Sequence, residues 1–103
     1  MPEVFIGICA NLGNRAENIA EAINNLRDIP EISIEKASKP IETKPVGGPP
    51  QPDYMNAVIK IKTDLPAQKL LAILQGIEKK MGRMRSIKNA PRPIDLDILL
   101  YGN

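Results

Sequence analysis

With 103 residues, 43% of them hydrophobic and 25% charged, the chain has the size and balance of one soluble domain with a single core. Its net charge of +2 is too small to imply nucleic acid or membrane by itself, and the lack of histidine excludes Ser-His and Cys-His catalysis and His-based zinc sites. Cys9 is the single cysteine, which rules out an internal disulfide and implies a reducing, cytoplasmic compartment.

The start, Met1-Pro2-Glu3, lacks the basic and long apolar regions of a signal peptide, and no apolar run approaches ~18 residues. Val4 to Cys9 reads as a buried strand, which makes Cys9 a buried structural thiol rather than a nucleophile. Asn14 followed by Glu17 resembles a capping box. Ile19, Ala22, Ile23 and Leu26 then recur at helical spacing, and Pro30 closes that helix. Ile32 and Ile34 alternate with polar residues in a second strand that reaches about Ser38. From Tyr54 to Thr63 a third strand sets Met55, Ala57, Ile59 and Ile61 on one face, with Tyr54 and Asn56 on the other. Pro66 suits the first turn of a second helix, whose stripe is Leu70, Ile73, Leu74, Ile77 and Met81 and whose C-cap is Gly82.

A last strand runs from about Pro93 to Tyr101, so the order is β-α-β-β-α-β. This predicts an α+β, ferredoxin-like domain over residues 1–103, with two helices on one face of an antiparallel four-stranded sheet. Many functions share that fold. Between the second and third strands lies the connection Lys39 to Asp53, which holds five of the ten prolines plus Gly47 and Gly48. Connections of this length without secondary structure are usually functional or disordered, so a substrate-closing loop and a tolerated surface insertion both fit.

The last strand carries the chemistry. Asp95 and Asp97 stand two apart in an apolar run, so both carboxylates project from one face while Ile94, Leu96 and Ile98 turn to the core. Two converging carboxylates are costly unless a positive charge lies between them. Mg²⁺ held by one or two carboxylates, with water and substrate phosphates as its other ligands, meets that need. Lys79, Lys80, Arg83, Arg85, Lys88 and Arg92 follow one another with no acid between Lys79 and Arg92. Alone, such a run is a solvated face.

Five pieces together carry a resemblance. They are Ala10-Asn11-Leu12-Gly13, Glu42-Thr43-Lys44-Pro45-Val46-Gly47, Gln51-Pro52-Asp53-Tyr54-Met55-Asn56, Ile77-Glu78 with Gly82-Arg83-Met84-Arg85, and Pro91-Arg92-Pro93-Ile94-Asp95-Leu96-Asp97-Ile98-Leu99. In this order the chain resembles the hydroxymethyl-dihydropterin pyrophosphokinases of folate biosynthesis. The resemblance implies transfer of pyrophosphate from ATP to the hydroxymethyl group of a reduced pterin, with release of AMP. It implies that Asp95 and Asp97 hold two Mg²⁺ ions, with Asp97 also placed to accept the hydroxyl proton. It assigns Arg83, Arg85 and Arg92 to closure over ATP, Arg83 and Arg92 with catalytic roles, and it places Glu78 and Ile98 near the nucleotide. Cationic neutralisation is what phosphoryl transfer requires. Finally, it assigns the pterin pocket to Thr43, Pro45, Val46, the Tyr54 ring and the Asn56 amide. An amide can read the donors and acceptors of a pterin edge, and an aromatic ring can stack on its face. For Glu78 a solvent-exposed helix position competes with this assignment, and for Tyr54 ordinary half-buried strand packing does.

The chain departs from the family pattern at Cys9-Ala10, where Gly-Ser is common, and at Ala90, where glycine is. Family members also continue past Asn103 with a segment bearing a Pro-His pair, an arginine and a pterin-stacking aromatic, so the chain matches the N-terminal two-thirds of the family domain. The implied partners are small molecules, with no nucleic acid and no membrane. The implied state is a monomer whose edge, left open by the shortened end, invites self-association. Two other readings stand beside the enzyme. One is an ATP- or pterin-binding module without turnover. The other is an RNA-binding domain of the same fold, for which three scattered aromatics make a poor stacking platform.

Overall fold

The computed structural model describes residues 2–44, 47, 50–82 and 94–102. The elements run β1 (Glu3–Ala10), α1 (Arg15–Arg27), β2 (Ile32–Ala37), β3 (Ile41–Thr43), β4 (Tyr54–Thr63), α2 (Ala67–Lys80) and β5 (Asp95–Tyr101). The sheet order is β2-β4-β1-β5, with β3 also paired to β4 and every pairing antiparallel. Thus β4 enters between β1 and β2, and β1 lies between β4 and β5, which is the interleaving of two split βαβ units. The ferredoxin-like, α+β expectation holds with one addition. Ile41–Thr43 form a short strand inside the connection read as structureless, too brief for any periodicity to reveal.

Both helices follow their sequence signals. Asn14 accepts the Glu17 backbone N–H at 3.1 Å through its side chain and so caps α1. Ile19, Ala22 and Leu26 are its buried positions. In α2, Pro66 occupies the N-cap rather than the first turn. Gly82 follows the C-cap Met81 with φ +91°, a conformation glycine adopts without a Cβ penalty.

Period-2 alternation builds the sheet side of the core. Val4, Ile6, Ile8 and Ala10 of β1 are buried beside Ala57, Ile59 and Ile61 of β4, and Leu70, Leu74 and Ile77 of α2 are buried in the same core. Truncating Ile6 or Leu74 to alanine would cost about 2–5 kcal/mol, the transfer term plus a cavity. Ile94 and Leu96 are buried and Ile98 is half-buried, as their spacing predicts. Beyond Ile98 the register shifts. Ile6 faces Ile98 and Phe5 faces Leu100, so Leu99 is an extra residue in β5. That bulge returns Tyr101 to the helix face, where its hydroxyl donates to the Leu65 carbonyl. Leu99 and Leu100 stay exposed.

One side-chain expectation fails. Cys9 is half-buried rather than buried, because it has the opposite parity to Val4, Ile6 and Ile8 and faces away from the helices.

Candidate functional site

The sheet face that the helices leave open carries one row across four strands, with polar side chains from β4 and β5 and a thiol from β1 between them. Asn56 of β4 lies opposite Ile41 of β3 on one side and Cys9 of β1 on the other, and Cys9 in turn faces Asp95 of β5. The next row towards the middle of the sheet is Val58, Gly7 and Asp97. Towards the end of the sheet, Thr43 faces Tyr54. Neighbouring strands are ~4.8 Å apart, so Asn56 and Asp95 stand roughly 9.6 Å apart at their Cα atoms. The floor between them is Cys9 and Gly7.

Side-chain hydrogen bonds tie Asn56 and the neighbouring connection in place. The Asn56 side-chain Nδ2 donates to the Thr43 hydroxyl at 2.6 Å, which joins β3 to β4. Asn11, buried at the end of β1, donates through Nδ2 to Gln51 Oε1 at 2.6 Å and to the Pro52 carbonyl at 3.2 Å. Arg15 opens α1 and spans the same connection, donating to the Asp53 carbonyl at 2.9 Å and to Glu42 Oε1 at 3.0 Å. The two limbs that deliver Thr43 and Tyr54 are therefore tied to β1 and α1. Asn11 and Arg15 were not among the site residues read from sequence. Asn11 left a faint signal, a polar side chain directly after an apolar strand. Arg15 left none, since a helix-start arginine is ordinary.

Of the site residues read from sequence, the fold brings Thr43, Tyr54, Asn56, Asp95 and Asp97 onto one face. It sets Ile98 on the opposite, helix-covered face, half-buried opposite Ile6. Glu78 also approaches from the helix side. It is 5% exposed, so the solvent-exposed alternative is excluded, and its Oε2 accepts the Leu96 backbone N–H at 2.7 Å. Pro45, Val46, Arg83, Arg85 and Arg92 lie outside the described residues.

Asp95 is half-buried and Asp97 is exposed. No group of three or more metal-ligating side chains occurs among the described residues. A pair of carboxylate oxygen donors fits a hard divalent cation that completes its shell with water and phosphate, and does not suit a closed all-protein cage. The far end of the sheet carries an ion pair between Glu3 and Lys60. There the hydrogen bond and charge of Lys60 lower the pKa of exposed Glu3. A cleft of about 290 Å³ lined by Glu31, Asp64, Leu65, Pro66 and Lys69 shares no residue with the polar row. No helix among the described residues is long and apolar enough to cross a membrane.

Residues 5–102 match the family described as 7,8-dihydro-6-hydroxymethylpterin-pyrophosphokinase (HPPK). The chain is 40% identical over 103 residues to the 2-amino-4-hydroxy-6-hydroxymethyldihydropteridine pyrophosphokinase of Haemophilus influenzae, covering all of this chain and 64% of that protein. It is 42% identical over 101 residues to the protein of the same name from Aquifex aeolicus, covering 98% of this chain and 62% of that one. A folate synthesis bifunctional protein of Arabidopsis thaliana is 44% identical over 101 residues, which are 97% of this chain and 21% of that protein. The chain thus spans less than two thirds of the length of each of these relatives.

Proposed function

The chain belongs to the 7,8-dihydro-6-hydroxymethylpterin-pyrophosphokinase family, and on that premise we propose that it transfers the terminal diphosphate of ATP to the hydroxymethyl group of 6-hydroxymethyl-7,8-dihydropterin in folate biosynthesis. The observation that carries this reading is the row Asn56–Cys9–Asp95. An amide able to read a pterin edge and an acid pair able to serve a nucleotide share one face, two strands apart. Asn56, oriented by Thr43, takes the ring donors and acceptors, and Tyr54 offers its ring as a stacking surface.

Asp95 and Asp97 would hold Mg²⁺, with water and phosphate oxygens as its remaining ligands. Once bound, Mg²⁺ neutralises charge on the transferring phosphates. The pterin hydroxyl oxygen attacks the β-phosphorus, the bond from that phosphorus to the oxygen bridging to the α-phosphate breaks, and AMP leaves with that oxygen. In this proposal Asp97 takes the hydroxyl proton. Arg83, Arg85 and Arg92 supply positive charge to the phosphates, a role that rests on their match to the family motifs. The positions matching Pro45 and Val46 line the pterin pocket on the same ground.

Position-specific labelling tests this reading. With ATP labelled at the β-phosphorus, label passes to the pterin product. With ATP labelled at the α-phosphorus, it stays in AMP. Release of ADP, or AMP formation independent of pterin, would overturn the reading. Nucleotide and pterin binding without AMP would make the chain a binding module.

A further inference from the structure

Glu78 stands in the last turn of α2 with Ile77 and Leu74 buried beside it, and a carboxylate in such a place persists only when it is hydrogen-bonded or paired. One of its oxygens is committed to the backbone. Oε2 accepts the Leu96 N–H at 2.7 Å, in the range of charge-assisted bonds. Leu96 is the residue between Asp95 and Asp97, and β5 ends the sheet order β2-β4-β1-β5. In an antiparallel ladder, successive residues turn their N–H and C=O groups to opposite edges of the strand. A Leu96 N–H given to Glu78 points away from β1, so the backbone groups of Asp95 and Asp97 point towards their partners Cys9 and Gly7. The Asp-Leu-Asp segment is thus gripped on both edges, by β1 on the inside and by the end of α2 on the outside.

We infer that Glu78 is a positioning residue, whose buried bond to the Leu96 amide fixes the strand so that the Asp95 and Asp97 carboxylates converge on one metal–nucleotide site. The inference rests on the proposed metal role of those aspartates. Misplacing reacting groups by 1 Å can cost 10²-fold in rate, so a backbone clamp at this point has a functional consequence as well as a structural one.

The test uses Mn²⁺ and α,β-methylene-ATP with three proteins: the unmodified chain, Glu78→Met and Glu78→Gln. Methionine fills the buried volume without an acceptor on the Leu96 N–H, and glutamine keeps an acceptor oxygen without the charge. Glu78→Met should speed hydrogen exchange at the Leu96 amide at least tenfold. It should weaken Mn²⁺ binding in the presence of nucleotide at least fivefold, and leave nucleotide affinity in EDTA within twofold. Glu78→Gln should keep amide protection and Mn²⁺ affinity within threefold of the unmodified chain. Equal Mn²⁺ affinity in Glu78→Met overturns the inference. So does a matching loss of nucleotide affinity in EDTA, which would mark a direct nucleotide contact. If Glu78→Met does not fold, Glu78→Gln decides. A folded glutamine variant with a protected Leu96 amide and Mn²⁺ affinity down tenfold shows that the charge matters rather than the clamp. Absence of nucleotide-linked Mn²⁺ binding in the unmodified chain overturns the metal reading and this inference together, whereas binding that is indifferent to Glu78→Met overturns the inference alone.

Discussion

The Asn56 side chain donates to the Thr43 hydroxyl at 2.6 Å, which fixes the amide by a residue from a different strand. The orientation of the amide proposed to read the pterin thus depends on the three-residue β3. Thr43→Val keeps the shape and removes the acceptor. A hydrogen bond of this kind is worth about 0.5–1.5 kcal/mol net. Pterin affinity in the presence of a nucleotide analogue should fall roughly two- to tenfold by calorimetry, with an unchanged circular dichroism spectrum. Unaltered affinity would show that Asn56 orientation does not depend on Thr43.

Asn11 ties the return limb of the connection to β1 through Gln51 and Pro52. Asn11→Leu removes the donors from a buried position and leaves the Pro52 carbonyl short of a partner. The cost is about 1–3 kcal/mol, and each kcal/mol lowers the melting temperature by about 4–8 °C in a domain of this size. Thermal denaturation should therefore show a drop of at least several degrees. Arg15→Ala should cost less, because the Arg15–Glu42 ion pair is partly exposed and such pairs contribute about 0–1 kcal/mol. A larger loss from Arg15→Ala than from Asn11→Leu would reverse this ranking.

Cys9 lies between Asn56 and Asp95 on the open face. A small alkylating reagent should reach the thiol in the ligand-free protein. Pterin and a nucleotide analogue bound together should slow the reaction at least fivefold. An unchanged rate with both ligands bound would show that they do not cover this row.

The hydrogen bond from Lys60 and its charge lower the pKa of the Glu3 carboxyl. A carboxylate with a depressed folded pKa contributes stability above its unfolded pKa, and loses that contribution as pH falls through the folded value. Lys60→Met should return Glu3 to the ordinary carboxylate range in an NMR titration, and should flatten that acid-side loss of stability. A Glu3 titration unmoved by the substitution would contradict the pairing.

The elements that sequence makes legible are those with a long period. The stripe Ile19, Ala22 and Leu26 and the alternation from Met55 to Thr63 each repeat often enough to define a face. The face shared by Asp95 and Asp97 is legible for the same reason, since strand geometry links residues two apart. Three residues such as Ile41–Thr43 cannot display a period, so β3 is silent in the sequence. The parity of Cys9 is hidden because every neighbour in Phe5–Ala10 is apolar or glycine. The bulge at Leu99 and the burial of Glu78 are set by pairing partners distant in the chain, Phe5 and Leu96, which no local pattern encodes.

The most direct measurement is pterin-dependent AMP release by the chain in the presence of Mg²⁺ and ATP, beside Asp97→Ala and Asn56→Ala. The proposed site predicts that Asp97→Ala loses at least a hundredfold in kcat, and that Asn56→Ala acts mainly by raising the KM for pterin at least tenfold. Rates and KM values equal to those of the unmodified chain in both variants would contradict the assignment of this face as the site of transfer.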